Sequence, residues 1–144
     1  DAVIIARLWD AQAAVNHGRL IYLFKSFIRD KFPRLAPLDK YAYKDIIKHL
    51  FSDIDKEENV YPQIIPNWDR SPRGGRRAVI YTGSTPELFG KHVENALSFI
   101  KDKQDEHKIL FLRSWNEWAE GNYMEPDLKF GCGYLDALKK HLRD

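Results

Sequence analysis

Cysteine occurs once in the 144 residues, at Cys132, so no disulfide can form within the chain, which suits a reducing compartment. Cys132 reads as a small packing residue. No apolar stretch approaches the roughly 18 to 20 residues needed to cross a bilayer, and the opening DAVIIARLWD has neither the basic region nor the cleavage site of a signal peptide. A cytoplasmic protein with no transmembrane segment is the expectation. Neither sign of charge dominates: 23 basic against 21 acidic side chains leave a formal charge of +2, so no overall field selects nucleic acid or an anionic membrane. A glycine-rich phosphate loop is lacking too, since RGGRR (73–77) is not followed by the helix such a loop requires. The five histidines at 17, 49, 92, 107 and 141 match no zinc spacing. Asp53-Ile54-Asp55 has the Asp-x-Asp form that can hold a divalent metal, but it follows a helix and reads as a solvated turn, so neither metal nor cofactor is expected. An initiator Met is missing as well, and the chain begins inside what looks like a strand. Residues 1–144 therefore read as a single domain excised from a longer protein.

What the chain does hold is material for a core, 44% apolar and 13% aromatic. DAVIIA (1–6) reads as a buried strand or the end of one. From Leu8 to Ile28, Ala and large apolar residues recur around NHG at 16–18, which predicts two helical segments broken at Gly18. KFPRLAPLD carries two prolines and reads as a loop. Tyr43, Ile46, Ile47 and Leu50 then fall on one face at helical spacing. A strand-like piece around Tyr61 to Ile65 leads into a loop with four arginines in the eight residues 70–77, and AVIYTG reads as another short strand. In STPELFGKHVENALSFIKDK, Ser84 or Thr85 caps, Pro86 sits in the first turn, and Phe89, Val93, Ala96, Leu97 and Ile100 make an apolar stripe. KILFLRSW (108–115) is a continuous apolar run, the pattern of a strand buried on both faces. GYLDALKKHLRD closes with a helix whose inner face is Tyr134, Leu135, Leu138 and Leu142. Strand, loop and helix alternate at least twice, which predicts an α/β layout with parallel strands and crossover helices. In such folds functional residues gather beyond the carboxyl ends of the strands. SWNEWAEG and NWDR both sit there.

Glu117 and Glu120 are three apart, so in a helix or turn both carboxylates project to one side. Two acids held that close do not ionise independently, and one is pushed toward a raised pKa, which lets an acid and a base coexist near neutral pH. Trp115 and Trp118 share the spacing, and flat aromatic faces stack on the apolar faces of sugar rings. Glycosidic chemistry uses such a combination, because the leaving oxygen needs a proton while positive charge builds on the anomeric carbon. Asn116, Tyr123 and Glu125 add hydrogen-bonding groups for hydroxyls. Spacing alone also fits a blander arrangement, a capped turn with its tryptophans in the core and its glutamates solvated.

SWNEWAEGNYMEPD followed by FGCGYLDAL, with YPQIIPNWDRSPR and STPELF upstream, resembles the carboxyl-terminal part of the WbsX-like glycosyltransferase family. That family is similar in turn to glycoside hydrolase family 99, the endo-α-mannosidase group. The likeness covers residues 58–138 well and residues 1–57 poorly. It implies a (β/α)8 TIM-like barrel of which this chain supplies the last three or four parallel strands, because a closed barrel takes about 250 residues. Completion by oligomerisation is one consequence. The matching hydrolase segment reads N-E-W-H-E-G. Carried over, Glu117 is the base that deprotonates the sugar's 2-hydroxyl to give a 1,2-anhydro sugar, Glu120 is the acid that protonates the leaving oxygen, and Glu125 contacts a sugar hydroxyl. Ala119 stands where the hydrolases have His. The family's Trp-Asp-Asn pattern with Arg shortly after is kept at Trp68, Asp69 and Arg73, whereas Arg70 replaces the Asn. These residues belong at the sugar site, with Arg73 meeting a phosphate or acidic sugar, while Arg76 and Arg77 read as a solvated loop. The function implied is a glycosyltransferase of bacterial surface polysaccharide (lipopolysaccharide or O-antigen) assembly, with a nucleotide sugar as donor. A retaining hydrolase of endo-α-mannosidase type and a glycan-binding module without catalysis are the alternatives.

Overall fold

The computed structural model describes residues 2–32, 34 and 38–142. Residues 33 and 35–37 of the proline-bearing loop expected over 31–39 lie outside these residues. β1 (Val3–Ile4) leads to α1 (Leu8–Val15) and α2 (Arg19–Lys31), and the break between them falls at His17 and Gly18, which both have positive φ. β2 (Asp39–Ala42) runs straight into α3 (Tyr43–Ile46), which a 3₁₀ turn extends over Ile47–His49. Tyr43, Ile46, Ile47 and Leu50 are all buried, as their spacing predicts. β3 (Val60–Tyr61) and β4 (Gln63–Ile64) are one extended stretch interrupted at Pro62. Next come β5 (Trp68–Asp69), the short α4 (Ser71–Gly74) and β6 (Val79–Thr82). α5 (Pro86–Ile100) starts where Thr85 Oγ1 accepts the Leu88 N–H at 3.3 Å, with Pro86 in the first turn. β7 (Phe111–Leu112), the hairpin β8 (Asn116–Glu117) and β9 (Asn122–Tyr123), and α6 (Gly133–His141) complete the chain.

The layout is mixed α/β with three parallel pairings: β1 with β3, β4 with β7, and β2 with β6. β5 adds to β6 antiparallel, so the sheet β2-β6-β5 is mixed. Consecutive residues of one strand face opposite sides, and at the end of β4 this splits the interior in two. Ile65 joins Tyr43, Ile46, Leu50, Trp68 and Tyr81. Ile64 joins Phe89, Val93, Ala96, Met124 and Tyr134.

Several sequence expectations change. β1 is exposed, and the 108–115 run yields a strand of only two residues, with Phe111 exposed and Leu112 half-buried. Each pairs along one edge only, so apolar composition did not translate into cover. Cys132 is exposed just before α6 and packs in neither core. Leu142 is exposed rather than on the inner face of α6. α2 turns Tyr22 and Arg29 inward and leaves Leu20, Leu23, Phe24 and Phe27 exposed. Asp55 is not solvated. It is 1% exposed, accepts the Ser52 N–H in a capping box and pairs with Arg7 Nε at 3.3 Å. No helix among the described residues is long and apolar enough to cross a membrane.

Candidate active site

Beyond β7 the chain makes a tight hairpin whose shape follows from asparagine side chains. Asn116 Oδ1 accepts the N–H groups of Met124 and Glu125, at 3.3 and 3.1 Å, and the fully buried Asn122 Oδ1 accepts that of Ser114 at 2.6 Å. Between β8 and β9 lies a single 3₁₀ turn, Trp118–Glu120. Glu117 caps it, Oε1 accepting the Ala119 N–H at 3.2 Å, and Glu120 closes it. The next residue, Gly121, has φ 54°, the left-handed conformation that glycine adopts without strain. A Cβ there would lie 2.9 Å from the Asp69 Cβ and 3.1 Å from its backbone N. The glycine therefore lets the turn lie directly on β5, so two motifs some fifty residues apart in the chain form one site.

Contact between them is ionic as well. Glu120, whose side chain is 12% exposed, pairs through Oε1 with Arg73 Nη1 at 2.9 Å and Arg70 Nε at 3.3 Å. Asp69 Oδ1 accepts the Ser71 N–H at 2.8 Å, an Asx turn that leads into α4, with Arg70 at its N-cap and Arg73 within it. Arg70, where the family's Asn is missing, is thus a Glu120 partner, a role that the sequence did not signal.

The aromatic residues divide. Trp115 and Trp118 are 56% and 51% exposed, so the arrangement with both tryptophans in the core does not occur. Trp118 stacks on Tyr123 at a centroid distance of 3.9 Å, and its Nε1 donates to Glu125 Oε2 at 3.0 Å. Tyr123 donates to Asp127 Oδ2 at 3.2 Å, and burial together with the Asp127 charge pushes its phenol above the ordinary value, so the proton stays on the ring oxygen. Trp68 is buried instead, 5% exposed, with the Arg113 guanidinium 4.9 Å above its ring. Arg113 escaped sequence reasoning; its only signal was a charge ending an apolar run.

A cleft of about 370 Å³ opens beside Trp68, lined by residues of α1, α2 and the arginine loop together with Trp68 and Arg113. A wider groove of about 770 Å³ runs between α5 and α6. Lysines alternate there with Glu87, Glu94 and Asp136, and Phe130 is the one Phe, Tyr or Trp among the described lining residues, so the groove lacks the aromatic pair that stands at the hairpin.

The sequence profile of the family described as "Glycosyltransferase WbsX" matches residues 7–138, extending the likeness into the helices before residue 58. Two curated proteins of Xanthomonas campestris pv. campestris, each named "Uncharacterized protein WxcX", are also similar. That of strain B100 is 27% identical over 105 residues, covering 72% of this chain and 15% of its own. That of strain ATCC 33913 is 31% identical over 88 residues, covering 60% of this chain and 13% of its own. The chain thus spans less than a sixth of the length of these relatives. No solved structure matches it significantly. Since the profile takes in α1 through the first part of α6 and both halves of the Glu120 site, this chain belongs to the WbsX glycosyltransferase family.

Proposed function

We propose that the chain carries the sugar-transfer site of a glycosyltransferase acting in the cytoplasm on bacterial surface polysaccharide. The observation that carries this reading is the joining of Glu117 and Glu120 in one capped turn beside the exposed Trp115 and the Trp118–Tyr123 stack. In transfer, an acceptor hydroxyl attacks the anomeric carbon and must lose its proton, while the bond to the leaving oxygen breaks and charge collects there. Glu117, whose carboxylate is held among the described residues by the Ala119 N–H alone, serves as the base in this reading. Glu120 is tied to two guanidinium groups, so its work on a leaving oxygen requires the arginines to move to the substrate's own negative charge. Trp115 and Trp118 supply faces for sugar rings, and Asp69, Arg73 and Glu125 order the rim. We further propose that the parallel pairs are part of a (β/α)8 barrel continued in the longer relatives.

A second reading, a retaining hydrolase of endo-α-mannosidase type, is favoured by the glutamate pair itself, which suits hydrolysis equally well. The test is sugar transfer or release by the wild type, Glu117→Gln and Glu120→Gln, alongside NMR of the Trp115 and Trp118 indoles during titration with a nucleotide sugar or manno-oligosaccharides. Turnover should fall by about 10²-fold or more in Glu117→Gln while the indole shifts persist. Release of sugar from a glycoside without a donor nucleotide would select the hydrolase. Glycan binding with no turnover in any variant would leave a binding module.

A further inference from the structure

The cleft behind Trp68 is built around arginine. Arg29, Arg70, Arg77 and Arg113 line it, against the single carboxylate of Asp30. Their charges are incompletely answered. Arg113 has no hydrogen bond or ion pair from its guanidinium among the described residues and rests on the Trp68 ring at 4.9 Å. Among the described residues Arg77 reaches only the Asp30 carbonyl, at 3.4 Å. Arg29 is 9% exposed and, although its Nη atoms pair with Asp39 and Ser26, its Nε is buried without a partner. Guanidinium groups converging on a concave site match the oxygens of a phosphate, and their attraction gains strength as a ligand displaces water. Trp9 on α1 also lines the cleft, a flat ring left 73% exposed among the described residues. Aromatic faces of this kind stack on bases at about 1–3 kcal/mol each.

We propose that this cleft binds the nucleoside diphosphate moiety of a sugar donor, the diphosphate among Arg77, Arg113 and Arg29 and the base against Trp9. The assignment rests on the transferase reading above and gives it the donor site that no sequence motif supplied. Arg70 is the link, since it lines the cleft and also holds Glu120 at 3.3 Å. A diphosphate entering the cleft draws Arg70 toward it and leaves Arg73, at 2.9 Å, as the guanidinium on Glu120. During transfer the bond from the anomeric carbon to the diphosphate oxygen breaks, its electron pair stays on the diphosphate, and the arginines hold that charge. The acceptor oxygen bonds to the carbon and gives its proton to Glu117.

Calorimetric titration of the chain with UDP, GDP and inorganic pyrophosphate tests this, using wild type, Arg113→Ala, Arg113→Lys, Arg77→Gln, Trp9→Ala and Glu117→Gln. At least one nucleoside diphosphate should bind tighter than pyrophosphate. Arg77→Gln, at an exposed position that leaves the fold alone, and Arg113→Ala should each weaken it about tenfold or more. Arg113→Lys should lie between, Trp9→Ala should erase the advantage over pyrophosphate, and Glu117→Gln should bind as wild type. The proposal is overturned if the folded chain binds none of the three, if the arginine variants bind unchanged, or if pyrophosphate binds as tightly as both nucleotides. Its failure is separable from that of the catalytic reading. Transfer that depends on Glu117 with nucleotide binding indifferent to Arg77 and Arg113 sinks the cleft alone, whereas arginine-dependent nucleotide binding with full turnover in Glu117→Gln sinks the catalytic assignment alone.

Discussion

Gly121 is the residue on which the site turns. Alanine there meets two separate costs, the left-handed φ of 54° and a Cβ 2.9 Å from that of Asp69. Together these should destabilise the chain by about 2 to 4 kcal/mol, read as a lower urea midpoint. Gly75 has nearly the same φ, 53°, but its ψ of −131° puts it in a region that glycine alone adopts readily, and an added Cβ would meet nothing within 4 Å, so Gly75→Ala should carry a backbone cost of its own with no clash. Only the first variant pushes the hairpin off β5, so the Trp118 indole signal should move in that variant only. At this scale the sequence was informative about residue types and poor about partners. Two glutamates and two tryptophans at a spacing of three are a local pattern, and the structure keeps them in or beside one turn. That Trp68 lies under Arg113, or that Arg70 holds Glu120, depends on pairs 45 and 50 positions apart, which no local period encodes.

Among the elements, α5 is where sequence and structure agree most closely, because cap, proline and apolar stripe all act within one stretch of chain. Thr85→Ala removes the acceptor of the Leu88 N–H and should lower stability by about 1 kcal/mol, or Tm by about 3 °C, with the site unchanged. Asn116→Ala should act in the opposite way. It leaves the Met124 and Glu125 amides without their acceptor, so the hairpin should loosen and saccharide-induced indole shifts should shrink even where Tm falls little. β2 was missed as a strand because Asp39 and Lys40 make half of its four residues charged; its place beside β6, not its composition, makes it extended. The hairpin β8–β9 was missed for a related reason. Its residues are Asn, Glu, Asn and Tyr, and side-chain amides rather than β-branched packing hold its shape.

Over the whole molecule, one buried group sets an acid limit. His92 is 1% exposed, stacked on Phe51 at 5.1 Å, with neither ring nitrogen hydrogen-bonded among the described residues, and burial lowers its pKa from 6.5 to about 3. Below about pH 6.5 the unfolded chain takes up a proton that the folded one refuses. Stability should therefore fall with decreasing pH, by up to about 1.4 kcal/mol per unit between the two values. His92→Phe should flatten that part of a Tm-against-pH curve. The global layout was legible as a class, parallel strands with helices between, since alternation of patterns survives in the sequence. Cover was not legible: β1, Phe111 and the outer face of α2 are apolar yet exposed, and composition cannot say what lies opposite a surface.

Residues 60 to 65 link the two interiors, since Ile64 and Ile65, neighbours in the chain, are rooted in different clusters. Either cluster can loosen only by tugging on the other, so the chain should melt in one step rather than as two lobes. The hydrogen bonds that fasten this stretch to β7 run from Phe111 N–H to the Pro62 carbonyl at 3.0 Å and from Arg113 N–H to the Ile64 carbonyl at 2.8 Å. Those two amides should be among the last to trade their hydrogen for deuterium, at the rate of global opening. The guanidinium that waits over Trp68 is thus carried on one of the least yielding points of the backbone.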